Sequence, residues 1–256
     1  MTDLLEALAI DGGIVAAIGA GGKKSLLYAI AARFPGRIAW TATVHTPVPP
    51  RRTGMQVHVA DTGELVRRAG APGGERVQAF LRPSAKTGRV AGMEAEDVAA
   101  LHAAGDFDLT LVKADGARMR GIKAPRDGEP VLPPDTRRVL VVVSAAVLGR
   151  PLDEDVAHRP ERLAGITGLA PGESIGPAHL ARLFSHEHGL LQGTSGLDVR
   201  PVINQVDDDA RRRDAEDAAR AMLAANPALA GVTLTRLGPG RDPADAVVGI
   251  VDRERA

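Results

Sequence analysis

The apolar run Ile14-Val15-Ala16-Ala17-Ile18 ends at Gly19-Ala20-Gly21-Gly22-Lys23-Lys24-Ser25, and an amphipathic stretch follows at once. A buried strand that turns directly into a helix across glycines constrains the whole chain, because it opens a βαβ unit and so calls for a parallel sheet covered by helices. Glycines in such a turn let successive N–H groups converge on an anion, the helix adds its positive end, and a lysine adds mobile charge. The turn departs from the usual Gly-x-x-x-x-Gly-Lys-Ser/Thr spacing. With Gly22-Lys23 kept in register, Lys24 stands where a hydroxyl normally reaches magnesium, and Ser25 is the nearest substitute. The plain alternative is a tight connection with no ligand.

Strand and helix keep alternating downstream. Leu27, Ile30, Ala31 and Phe34 fall at helical spacing before Pro35-Gly36, and residues 38–43 read as the next strand. Further strands are expected at 57–60, 109–112, 139–144, 202–203, 232–234 and 247–251, with helices from a cap near Asp61-Thr62, over 94–103 and over 209–225. Residues 139–144 are continuously apolar, as a strand buried on both faces requires. The expected fold is α/β, a three-layer sandwich with a mostly parallel sheet, P-loop NTPase-like. It forms one domain over 1–256, with a small helical or loop insertion around 150–196. The proline- and glycine-rich stretches 47–52, 71–74 and 123–134 read as surface loops.

Composition narrows the function. Thirty-two basic residues balance 32 acidic ones, which gives no electrostatic footprint for nucleic acid or an anionic membrane. With no cysteine, the chain has no disulfide, thiolate metal site or thiol nucleophile. Aromatic residues are scarce, so a stacking platform for single strands is not expected. The longest apolar run, 139–148, is too short to span a bilayer, and a soluble cytoplasmic protein is expected.

Open parallel sheets place ligands at the carboxyl ends of their strands, and several polar residues fall there. Thr43 and His45 enter the loop after the second strand, as candidates to touch a phosphate, its metal or the attacking group. Asp115 ends the strand 109–112 as a candidate magnesium ligand with Ser25, and Arg118, Arg120 and Lys123 follow as cations able to neutralise phosphoryl oxygens. An ordinary Asp-Gly turn and a solvated loop are the alternatives. Asn204-Gln205-Val206-Asp207 has the form of the Asn-Lys-x-Asp guanine reader with Gln205 replacing lysine. Asp207 would read the base and Asn204 would brace the glycine turn, or else the segment is a strand end with a helix cap. His158 titrates in the range suited to proton shuttling, whereas His186 and His188 are too close in sequence for a helical zinc pair and read as surface.

Taken in order, Gly19-Ala20-Gly21-Gly22-Lys23, Thr41 to His45, Ala114-Asp115-Gly116-Ala117-Arg118, Lys123-Ala124-Pro125, Glu129-Pro130-Val131, His158-Arg159-Pro160-Glu161 and Asn204 to Asp207 resemble the YqeC family. That resemblance implies a P-loop nucleotide-binding accessory protein linked to selenium-dependent molybdenum hydroxylases and selenium cofactor biosynthesis. It also implies phosphates on the glycine turn with Lys23, Asp115 with Gly116 and Arg118 in the family's Ala-Asp-Gly-Ala-Arg signature, and His158-Arg159 bordering the same cleft. Three positions depart from the family: Lys24 replaces threonine, Lys113 glutamate and Gln205 lysine. The function expected is a nucleotide-binding, NTP-hydrolysing maturation factor using ATP or GTP with Mg2+, with Lys23, Asp115, Arg118 and His158 as catalytic candidates and an apo-hydroxylase or cofactor-maturation protein as partner. A nucleotide-gated adaptor without turnover, or an ATP-dependent small-molecule ligase or kinase, is the alternative.

Overall fold

In a computed structural model describing residues 2–170, 172–238 and 240–253, the strand before the glycine turn, β1 (Gly13–Gly19), is buried on both faces. Alternation sends Ile14, Ala16 and Ile18 into one apolar cluster and Val15 and Ala17 into another, so a helix layer covers each side. The other elements, in chain order, are α1 (Leu4–Ala7), α2 (Lys23–Arg33), β2 (Ile38–Ala42), β3 (Gln56–Val59), α3 (Thr62–Ala69), β4 (Val77–Leu81), α4 (Ala95–Ala104), β5 (Leu109–Lys113), β6 (Ile122–Lys123), β7 (Thr136–Ser144), β8 (Ala157–His158), α5 (Pro160–Thr167), α6 (Pro177–Ser185), β9 (Asp198–Asn204), α7 (Asp209–Ala225), β10 (Gly231–Thr235) and β11 (Val247–Asp252).

Among the described residues nine strands form one sheet in the order β11-β10-β9-β7-β1-β5-β2-β4-β3. Every pairing is parallel except β10 with β11. From β1 the chain passes through α2 to β2 on one side, and from β7 it proceeds to β9 on the other. The carboxyl ends of β1 and β7 therefore flank a topological switch point, the place where open α/β sheets generally bind ligands. β6 and β8 pair in parallel as a separate ribbon.

The two helix layers are unequal. Leu4 of α1 and Leu26, Leu27 and Ile30 of α2 pack with Trp40, Leu111 and Val142 on one face. On the other, Leu65 of α3, Val98 of α4, Leu163 of α5, Leu180 of α6 and Ala218 of α7 pack with Val112, Val141 and Ile203. Segment 150–196 carries α5 and α6, and its Leu163, Ile166, Leu183 and Phe184 belong to the same cluster as the sheet. Asp61 caps α3 by accepting from the Glu64 N–H, as the sequence suggests. Among the differences from the sequence reading, two concern buried strands. Lys123, assigned there to a surface loop, is fully buried in β6, and β4 is an additional strand buried along its whole length. Among the described residues no helix is long and apolar enough to cross a membrane.

Candidate functional site

The glycine turn is built by close packing. Gly19, Gly21 and Gly22 have φ of 89°, 75° and 124°, and a Cβ on them would lie 2.2 Å from Val142 O, 2.5 Å from Ser144 N and 2.2 Å from Asn204 Nδ2. Only glycine fits, whether or not a ligand binds. The N–H groups of Gly19, Ala20 and Gly21, expected to face an anion, are bonded inside the protein to Asp115 Oδ2 (2.8 Å), Val142 O (2.7 Å) and Arg120 O (3.1 Å). The turn's first half is thus tied to β7 and to the loop that follows β5. In contrast, the N–H groups of Gly22, Lys23, Lys24 and Ser25 have no acceptor among the described residues, and the Leu26 N–H is the first to bond back, to Gly22 O. Ser25 is partly exposed at this end of α2.

Lys23 bends back into the fold. Its Nζ donates to Gly19 O and lies 2.9 Å from Asp115 Oδ1, an ion-pair distance without the alignment of a hydrogen bond. Asp115 is 2 % exposed. Its Oδ2 accepts from Lys123 Nζ at 2.9 Å as well as from the Gly19 N–H. Lys123 bridges onward to Glu129 at 2.6 Å, and Arg159 grips both Glu129 oxygens at 3.0 Å. Burial pushes the Asp115 carboxyl up, but Lys23 and Lys123 outweigh it and hold the group below its ordinary range. Burial likewise works against Glu129, and Arg159 with Lys123 brings it down to about 2. For Lys23, burial lowers the pKa more than Asp115 raises it.

Lys113 adds a further amine. It ends β5 on the face that α2 covers, is 8 % exposed, and donates to Asp115 O at 2.6 Å. No carboxylate lies at ion-pair distance from it among the described residues. Burial, and then Lys23, depress its pKa to about 7. Lys24, half-buried one residue into α2, is lowered by burial and by Arg89 and Arg52.

A cleft of about 820 Å3 opens beyond Gly116. Thr43, His45, Arg118, Arg120, His158 and Arg159 line it, with Lys86, Arg126 and Glu129, while none of residues 19–25 does. Its charge leans basic, with Lys86, Arg118, Arg120, Arg126 and Arg159 against Glu129, Glu154 and Glu161. Arg118 and Lys86 have no carboxylate partner among the described residues, and Arg120 has only Asp155 at 3.5 Å. The Thr43 hydroxyl donates to Val131 O at 2.7 Å, so it is already engaged. Burial, then Arg159, Lys123 and Arg118, push His158 down to about 4, which leaves it neutral at physiological pH instead of shuttling protons there. Arg118, Met119 and Arg159 hold positive φ of 45°, 63° and 66°, a backbone cost of about 1–3 kcal/mol each that concentrates at this rim.

The 204–207 segment divides. Asn204, fully buried, donates Nδ2 to Gly21 O (2.9 Å) and accepts from the Leu237 N–H and the Thr235 hydroxyl, so it braces the glycine turn. Gln205, at φ 65°, accepts from Ser144 Oγ. Asp207 pairs with Arg211 (3.0 Å) and Arg241 (3.6 Å) beside a separate cavity of about 270 Å3, away from the main cleft.

As arranged, the donor set does not suit magnesium. Asp115 already faces two ammonium groups and an amide, Lys113 stands beside it, and Lys24 occupies the usual hydroxyl position. A dication would join three lysines around one carboxylate. Among the described residues no group of three His, Cys, Asp or Glu could hold a metal ion. What the arrangement favours chemically is an anion. Four basic side chains, Lys23, Lys113, Lys123 and Arg159, meet two buried carboxylates, Asp115 and Glu129. Sequence reasoning placed Lys113 and Arg159 at the site by family resemblance and quoted Glu129 only within a motif, so it missed the network that joins Arg159, Glu129, Lys123 and Asp115. For Lys113 the available signal was a lysine closing the apolar strand Leu109-Thr110-Leu111-Val112.

Comparison with known proteins shows the family of this chain. The family model described as YqeC protein matches residues 15–161. The uncharacterized protein YqeC of Escherichia coli (strain K12) is 30% identical over 204 residues, covering 73% of this chain and 75% of that protein. The chain belongs to the YqeC family.

Proposed function

We propose that this YqeC-family chain is a nucleotide-binding accessory protein that seats the phosphates of ATP or GTP at the start of α2, as a P-loop does, and serves the maturation of a selenium- or molybdenum-dependent hydroxylase or its cofactor. What carries this is the group of four acceptor-free N–H groups, Gly22 to Ser25, at a helix N-terminus beside Lys23 and at the sheet's switch point. A triphosphate tail would draw Lys23 Nζ from Gly19 O, and Asp115 would keep Lys123 and the Gly19 N–H.

The basic cleft beyond Gly116 has room for a second, anionic reactant, which favours phosphoryl transfer over hydrolysis alone. There Arg118 and Arg120 stabilise charge gathering on the transferred group. His158, being neutral, accepts a hydrogen bond from the acceptor without adding charge. A nucleotide-gated adaptor that docks on the apo-hydroxylase without turnover is the second reading, favoured by the closed Lys23–Asp115 pair.

Calorimetric titration of ATP and GTP into the wild-type chain and into Lys23→Ala tests the binding step. Binding that Lys23→Ala abolishes supports it, and silence from both nucleotides in the wild type overturns it. Sustained phosphate release without a partner rules out the adaptor, and product analysis finding only free phosphate removes transfer.

A further inference from the structure

The lysines around Asp115 carry a consequence for how charge is balanced when a nucleotide binds. In glycine-lysine-hydroxyl loops a magnesium ion, held by the hydroxyl and a nearby carboxylate, neutralises the phosphate tail. Here the residue after Lys23 is Lys24, and the carboxylate is occupied by Lys23 and Lys123. Lys113 is more than nine-tenths buried and, among the described residues, has only a backbone carbonyl as acceptor. A buried amine that lacks a counter-ion, beside a helix start whose N–H groups lack acceptors, is a site short of negative charge.

We propose, resting on the nucleotide reading above, that this protein binds a nucleoside triphosphate without a divalent cation, with Lys24 and Lys113 supplying the positive charge that magnesium supplies elsewhere. Lys24 reaches the tail from the first turn of α2 and Lys113 from the end of β5, on the face α2 covers. The charged groups around Lys113 are Lys23 and Lys24 from α2, Asp115 after β5 and Lys123 from β6. All but Asp115 oppose its protonation, and a bound polyanion reverses that balance. Binding above neutral pH is therefore accompanied by proton uptake.

The test is calorimetry of ATP and of GTP into the full chain at pH 8, once with Mg2+ and once with EDTA, in two buffers of different ionisation enthalpy. Expected are dissociation constants within about threefold of each other with and without the metal, and heats that differ between buffers through proton uptake. Lys24→Thr is expected to weaken binding in EDTA about tenfold or more, roughly 1.4 kcal/mol, and to restore a magnesium dependence. Lys113→Met is expected to remove the proton uptake. Binding that needs Mg2+ overturns the inference while leaving nucleotide binding intact, as does Lys24→Thr binding in EDTA like the wild type. No heat under either condition overturns both.

Discussion

Asp115→Asn removes one negative charge from the most connected point of the site. The carboxylate is 2 % exposed and meets the Gly19 N–H at 2.8 Å, Lys123 Nζ at 2.9 Å and Lys23 Nζ at 2.9 Å. An amide of the same shape keeps one acceptor oxygen and turns an NH2 donor toward other donors, whichever way it is flipped. Hydrogen bonds to charged groups contribute about 1.5–3 kcal/mol each. Breaking a buried ion pair from one side costs about 3–5 kcal/mol because the partners stay buried. We therefore expect a loss of about 3–5 kcal/mol in equilibrium urea unfolding at pH 7, or about 10 °C in melting temperature for a chain of this size. Adding Lys23→Met should return part of the loss, since it removes an ammonium left without its counter-charge. A loss under about 1 kcal/mol, or a double variant no better than the single, would refute the buried network as described.

Further outcomes follow from neighbouring residues. Gly19→Ala places a methyl 2.2 Å from Val142 O at φ 89°, so it should cost at least about 2 kcal/mol in the same unfolding assay. Between about 7 and its ordinary value of 10.5, Lys113 binds its proton more fully in the unfolded chain than in the folded one, so stability rises with pH there and the burial penalty is complete below about 7. Lys113→Met should accordingly be more stable than wild type at pH 6, with the advantage fading toward pH 10. His158 is neutral when folded down to about 4 but protonates near 6.5 when unfolded, so stability should fall as pH drops through that window, and His158→Gln should flatten the slope. Arg118→Ala, at an exposed side chain without a carboxylate partner among the described residues, should lower the rate of the proposed phosphoryl transfer while leaving the melting temperature within about 1 °C.

Much of the framework was readable because it is local. The apolar run, glycines and helical spacing from Ile14 to Phe34 fix β1 and α2 without long-range information, and the continuous apolar stretch at 139–144 fixes β7 as a central strand. Three things were hidden. β4 carries Gln78 in a short run after a glycine-rich stretch, and its strand character comes from pairing with β2 and β3. α5 begins at Pro160, a position proline favours, but the charged sequence before it masks the start. The inward bonds of Gly19, Ala20 and Gly21 depend on Asp115, Val142 and Arg120, far away in the chain. The same holds for the site itself. Asp115, Arg118 and His158 are visible as polar residues at strand ends, but joining Asp115 to Lys123, Glu129 and Arg159 requires the sheet and the β6–β8 ribbon to assemble.

The central claim is that phosphate oxygens meet the N–H groups at the start of α2. Titrating ATP into 15N-labelled protein and following backbone amide shifts tests it most directly. The largest changes should fall on Gly22, Lys23, Lys24 and Ser25, with Gly19, Ala20 and Gly21 moving less because their N–H groups are already bonded. Saturable binding that leaves those four amides unmoved, or no binding at all, would contradict it.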